Sequence, residues 1–178
     1  YKEEMEAVFR SRLLGGFQIL DIQDFSGQGT ALVGVLDAFM DSKGLITDSE
    51  WREFCNDAVV MARFDSYVLE ADSSFKAHAE LCNYRPELKG GKLICTLALE
   101  SGEVIGKVEK DFVAEGNYTD ICDAEFTFPQ VEKNTKAVLS LEIEGTDIHN
   151  HYDLWVIPAV EKADISGAYI FDEVNDEA

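Results

Sequence analysis

From Arg63 to Pro158 the chain is a succession of short runs in which apolar and polar residues alternate, broken by turn residues. Tyr67-Val68-Leu69 comes first. Phe75 to Tyr84 follows, with Phe75, Ala77, Ala79 and Leu81 at every second place. Then come Leu93 to Leu99, Val104 to Val113, Ala124 to Phe128, Ala137 to Ile143 and Leu154 to Ile157. Lys89-Gly90-Gly91-Lys92, Ser101-Gly102-Glu103 and Glu144-Gly145 punctuate them. Successive side chains of a strand point to opposite faces, so a period of two marks strands with one face buried, and the glycine clusters mark turns between them. About seven such strands at roughly 8–12-residue spacing predict an immunoglobulin-like β-sandwich over 63–158. There is no Cys…Trp…Cys spacing, so an antibody-type domain is not implied.

The first 57 residues have a different texture. Met5, Val8, Phe9 and Arg12 share one helical face, which predicts a helix over about 2–14, closed by Gly15 as its C′ residue. The stretch Gly15-Gly16-Phe17-Gln18-Ile19-Leu20 reads as a strand buried on both faces, as in a parallel sheet. Asp21, Gln23 and Asp24 stand where that strand runs out, the place where α/β enzymes keep ligand sites. Carboxylates and amides suit sugar hydroxyls. The same residues also suit the caps of an ordinary solvated turn. Residues 26–46 form a long loop, a length more common in site loops than in plain connections. Within it, Asp41-Ser42-Lys43-Gly44 sets an anion and a cation ahead of Leu45-Ile46, or simply makes a surface turn. Thr47-Asp48-Ser49-Glu50 is a capping box that opens a short helix carrying Trp51, Phe54 and Cys55.

One helix, one parallel-type strand and a second helix cannot close a sheet. Either the missing strands lie upstream in a longer parent, or the helices dock on the sandwich. The chain enters helical periodicity at Tyr1 without a convincing N-cap. It stops in the acidic first turn Asp172-Glu173-Val174-Asn175-Asp176-Glu177. The expected organisation is therefore an α/β piece over 1–57, the sandwich over 63–158, and over 159–178 a linker and the start of a truncated next domain.

Thirty-five acidic residues against 15 basic ones give a net charge of −20. A surface this acidic repels phosphate backbones and anionic lipid, so neither nucleic acid nor a membrane surface is an expected partner. Cys55, Cys82, Cys95 and Cys122 include no CxxC clip, and three lie in strand-like apolar contexts that suit buried thiols, with a Cys82–Cys95 disulfide as the alternative. His149 and His151, flanked by Asp147 and Asp153, would share a face on a strand, but the run is expected to cross a turn where a strand begins, and no metal site or cofactor is expected. Gly27-Gln28-Gly29 lacks the third glycine and the lysine of a phosphate loop, and there is no serine-nucleophile elbow.

The run Gly15 to Phe25, with Asp41-Ser42-Lys43-Gly44-Leu45-Ile46-Thr47, resembles glycoside hydrolase family 2, the β-galactosidase and β-glucuronidase group. Gly27 through Phe39 looks most like family-2-type proteins of Bacteroides-like bacteria, which continue into a sandwich ending in a Trp-Val-x-Pro segment, here Trp155-Val156-Ile157-Pro158. The resemblance implies that residues 1–57 are the C-terminal piece of a (β/α)8 barrel, with its eighth strand and the lead into its last helix. It implies that Asp21, Gln23 and Asp24 face a sugar pocket. It aligns Lys43 with the lysine of an Asn-x-Lys pair that holds a uronate carboxylate; Asp41 stands at the Asn position and would repel such a group. Retaining hydrolysis needs two glutamates about 5 Å apart, and the resemblance puts both upstream of Tyr1, so no catalytic residue is expected here. Glu3, Glu4 and Glu6 precede the strand on a helix. The implied role is to complete the pocket and brace the barrel of a periplasmic or secreted hydrolase of β-galactosides, with carbohydrate and the upstream barrel as partners. The alternatives are a non-catalytic β-sandwich module for carbohydrate or protein, and an inactive family relative acting as scaffold.

Overall fold

The computed structural model describes residues 1–29 and 32–159. The expected linker and next domain, apart from Ala159, lie outside the described residues. Strands make up 45% of the chain and helices 10%, so the protein is mainly β. Two sheets face each other. One holds β1 (Ala58–Arg63), β3 (Ser74–Asn83) and β6 (Tyr118–Thr127) in the order β1-β3-β6, all antiparallel. The other holds β2 (Val68–Glu70), β4 (Gly90–Leu99), β5 (Val104–Val113), β7 (Thr135–Ile143) and β8 (His149–Ile157) in the order β2-β8-β7-β4-β5, with β2 parallel to β8. Their inner faces supply one core: Val60, Phe75, Ala79 and Leu81 from the smaller sheet meet Leu93, Leu97, Leu139, Leu141 and Leu154 from the larger. Phe64, Phe75, Phe128 and Tyr152 add ring contacts at 5.3 to 5.7 Å. This arrangement is that of a β-sandwich.

The expected strands are present, and several run longer than their apolar stretches, β6 and β8 by the most. β6 begins at Tyr118 and β8 at His149, because their leading residues continue the backbone ladders to β3 and β7. One strand, β1, escapes a search for alternation. Ala58-Val59-Val60-Met61-Ala62 is apolar throughout because both of its faces are covered. Val60 joins the main core, while Val59 and Met61 pack with Cys82, Phe9 and Tyr118 on the outer side.

That outer cover is α1 (Lys2–Arg10). Phe9 packs on the sheet, Met5 is buried one turn before it, and Glu6 and Arg10 reach the sheet from an adjacent stripe. Glu6 accepts hydrogen bonds from Tyr152 Oη (2.9 Å), Asn150 Nδ2 (3.0 Å) and Arg10 Nη2 (3.0 Å). The helix ends at Arg10, not near Leu14 as its periodicity predicts. Ser11 is extended (φ −77°, ψ 112°) and its N–H closes on Ala7 and Val8. The side chains explain the early stop. Arg10 is held by Ala62 O (2.8 Å) and Glu80 Oε2 (2.9 Å), and the extended chain lets Arg12 reach Asp120 Oδ2 (2.9 Å) across the Tyr118 ring. The second helix, α2 (Asp48–Phe54), carries the expected capping box: Glu50 N donates to Thr47 Oγ1 (3.2 Å) and Thr47 N to Glu50 Oε2 (2.7 Å). Both helices thus dock on the sandwich.

Between the helices the expected strand at Phe17–Leu20 is not formed. A strand buried on both faces needs neighbours on both edges, and among the described residues none pairs with it. Residues 22–29 and 32–43 instead fold on themselves around Leu36, which bridges Gln23 on one side and Ser42 on the other.

Candidate functional site

The residues singled out from sequence fall in that self-folded loop. Asp24 is buried, and its Oδ1 accepts from Gly34 N (3.0 Å) and Lys43 Nζ (2.7 Å); Lys43 also donates to Gly34 O (3.0 Å). Asp24 N donates to Leu36 O (3.0 Å) and Leu36 N to Ile22 O (3.1 Å). Gly34 lies so close to the Gln23 carbonyl carbon that a Cβ would sit 2.4 Å from it, so only glycine fits. The structure thus brings Asp24 and Lys43 together as an ion pair that ties the loop. It does not bring Asp21, Gln23 and Asp41 into contact with them. Asp21 adopts a left-handed conformation (φ 63°) and its carbonyl accepts from Tyr1 Oη (2.8 Å). Gln23 is exposed, with its backbone in the Leu36 bridge. Asp41 is exposed and pairs with Asp37 through its backbone.

A second feature was missed by sequence reasoning because its walls come from segments 50 to 150 residues apart. A cleft of about 500 Å³ opens between α1, α2 and β8, with Tyr1, Trp51 and Tyr67 as aromatic walls and Glu3, Glu53 and His151 among the polar groups. Tyr1 and Trp51 meet edge to face at 5.7 Å. Lys2 Nζ lies 4.3 Å from the centre of the Tyr152 ring, and burial holds its pKa below the usual lysine range despite the nearby Glu6 and Glu53. Burial, then the hydrogen bond to Glu3, raises the Tyr67 phenol.

Every acid in this cleft already has a partner. Glu3 accepts from Tyr67 Oη, Glu50 closes the capping box, and Asp153 pairs with Lys136 (2.8 Å). Glu53 is held by His151 Nδ1 (2.7 Å), with His149 Nε2 at 3.6 Å. The two histidines do share one face at the start of β8, as their spacing allows. Asp147 lies in the turn before them and bonds Arg85 instead.

All four cysteines are free thiols. Burial pushes the Cys82 thiol up to about 11 and the Cys95 thiol up to about 12.

The fold defines a mainly-β domain with two docked helices. A family model described as a domain of unknown function, DUF8488, matches residues 73–158, which span β3 to β8. No curated protein matches. The CARDB domain of a Pyrococcus furiosus protein, solved in complex with di-metal ions, is similar at 11% identity and TM-score 0.39, over 58% of this chain and 94% of that one. A calcium-binding mutant of Bacteroides uniformis β-glucuronidase 2 is similar at 14% identity and TM-score 0.38, over 55% of this chain but only 13% of that one. Spo0M, a sporulation control protein of Bacillus subtilis, is similar at 12% identity and TM-score 0.40, over 60% of this chain and 51% of that one. Likenesses this partial decide nothing about activity.

Proposed function

We propose that this chain is a non-catalytic bracing segment of a larger family-2-like glycoside hydrolase. In this reading residues 1–57 are the closing piece of its barrel, 63–158 an immunoglobulin-like sandwich that supports it, and 159–178 the lead into a further domain. The order β8-β7-β4-β5 beside β1-β3-β6 corresponds to the G-F-C-C′ and A-B-E sheets of that fold. Asp24 and Lys43 then hold the loop that rims the sugar pocket, with Asp21, Gln23 and Asp41 free to reach it.

One observation carries the reading. The sandwich core is closed, whereas the segment between the helices leaves large apolar side chains bare: Leu13 is 95% exposed, Leu20 81% and Phe39 85%, with Phe25 and Leu45 also exposed. Large apolar side chains left exposed in one segment suit an interface, and a barrel wall would cover them. The test is a panel of p-nitrophenyl glycosides applied to this chain and to the natural polypeptide that contains it. Turnover is expected from the longer polypeptide alone. Turnover by this chain, or a natural product of only 19.8 kDa, refutes the proposal.

The aromatic cleft favours a second reading, a carbohydrate- or protein-binding module. Rings offer stacking faces and the flanking carboxylates offer hydrogen bonds to hydroxyls. A glycan array separates the two: saturable binding that Trp51→Ala abolishes would favour the module.

A further inference from the structure

On the outer face of the three-stranded sheet, beside the end of α1, His78, Glu80 and Asp120 each present one ligand atom, and these atoms lie within 4.8 Å of one another. The arrangement follows from local structure. His78 and Glu80 are two apart on β3 and share a face. On β6, His78 pairs with Asp123 and Ala79 with Cys122, but Glu80 pairs with Asp120. An unbroken ladder would set Ile121 opposite Glu80. The bulge sets a carboxylate there instead, the kind of re-aiming that bulges perform near functional sites.

Two further observations point to a ligand. First, the Glu80 side chain is wholly buried, and while its Oε2 accepts from Arg10 Nε (2.9 Å), its Oε1 has no hydrogen-bond partner. Arg63 Nη2 stands 3.2 Å from that oxygen, outside hydrogen-bonding geometry. Arg63 and the nearby Tyr118 phenol offset part of the charge on Glu80, but a buried oxygen without a well-formed hydrogen bond is still costly. Second, His78 Nδ1 is 2.7 Å from Asp123 Oδ1. A carboxylate on one ring nitrogen is the usual way a protein fixes a metal-ligating histidine, because it keeps the proton there and leaves the other nitrogen as a donor of electrons. Here the other nitrogen, Nε2, faces Asp120 Oδ1 at 3.1 Å and Glu80 Oε1 at 4.0 Å. Three electron-rich atoms therefore converge. A proton on Nε2 would satisfy Asp120 but not Glu80, since 4.0 Å is beyond a hydrogen bond. A cation among the three would satisfy all of them.

We propose that His78 Nε2, Glu80 Oε1 and Asp120 Oδ1 bind a divalent transition-metal ion, zinc by ligand type, with Asp123 as the orienting partner of His78. Zinc takes imidazole nitrogen and carboxylate oxygen at about 2.0–2.2 Å, with a water in the fourth position when the protein supplies three ligands. The two ligating carboxylates balance the ion's charge. Arg12 and Arg63, which pair with Asp120 and Glu80, are both largely exposed and can swing into solvent as the ion enters, while Arg10 keeps Glu80 Oε2. The strongly negative chain favours cation uptake. The ion would cross-link β3 to β6 beside α1, a structural role independent of any activity of the parent.

The test is titration of the chelator-treated chain with zinc chloride by calorimetry, and with cobalt chloride by visible absorption. One equivalent of each is expected, the cobalt complex showing ligand-field bands without thiolate charge transfer. His78→Ala should abolish binding, and Asp123→Asn should weaken it by about 10–100-fold. His149→Ala should leave it unchanged. Asp123→Asn keeps the shape of the side chain, so it decides the matter if His78→Ala proves unstable. Absence of saturable binding overturns the proposal. So does affinity that survives both His78→Ala and Asp123→Asn, or that is lost in His149→Ala, and so does a cobalt–thiolate band.

Discussion

Replacing Glu6 by alanine removes the group on which the docking of α1 turns. Its carboxylate is 1% exposed and takes hydrogen bonds from the Tyr152 hydroxyl, the Asn150 amide and the Arg10 guanidinium, with Lys2 Nζ at 3.7 Å. Removing one partner of a buried ion pair costs about 3–5 kcal/mol. The lower end applies, because each group left behind keeps another partner. Asn150 Nδ2 retains Val60 O (2.8 Å), Tyr152 Oη retains Ala62 N (2.9 Å), and Arg10 retains Glu80 and Ala62 O. A helix of nine residues does not stand alone in water, so a loss of about 3 kcal/mol in docking appears as local unfolding. At about 1.4 kcal/mol per decade, amide exchange from Glu6 to Arg10 should accelerate by about 100-fold. Fluorescence of Trp51, whose ring meets Tyr1, should change in parallel. If the helix and sandwich unfold together instead, the midpoint should fall by roughly 6–12 °C at about 2–4 °C per kcal/mol. Glu4→Ala, on the exposed side of the same helix, should stay within about 0.5 kcal/mol of the parent. The reasoning is refuted if the Glu6 and Glu4 variants exchange and melt alike.

Three other outcomes are expected. Gly34→Ala should force apart the Gln23 peptide and the loop that carries Lys43, at about 1–3 kcal/mol; exchange should speed at Asp24, Leu36 and Lys43 while the sandwich amides are unaffected. The hydrogen bonds from Arg85 hold the Asp147 carboxyl below its ordinary value of about 3.9, so the stability it lends is present above about pH 4 and lost as pH falls through the lowered value. The stability gap between the parent and Asp147→Asn should therefore close in acid, as read by urea unfolding from pH 7 to pH 2. Because burial raises the Cys82 and Cys95 thiols to about 11 and about 12, neither should react with a thiol reagent at pH 8 until denaturant opens the core; labelling of both in the native protein would contradict the packing.

The sandwich was legible in the residues because alternation reports burial of one face directly. Phe75, Ala77, Ala79 and Leu81 spell the inner side of β3 whatever lies opposite, and the Thr47–Glu50 box spells the start of α2 because both partners are local. β1 was illegible for the same reason: with both faces covered, Ala58 to Ala62 has no period to detect. Local pattern also overran α1, since what stops it at Arg10 is a pair of contacts to Ala62 and Glu80, more than 50 residues away. At the loop, sequence named Asp24 and Lys43 as polar groups worth attention but not that they bond each other. The convergence of His78 with Asp120 left no trace in the sequence, because it rests on a one-residue bulge between strands some 40 residues apart. Burial periodicity and capping are short-range and are written along the chain. Which charges meet, and which buried oxygen is left without a donor, depends on strand register, and register is set only when the two sheets pack.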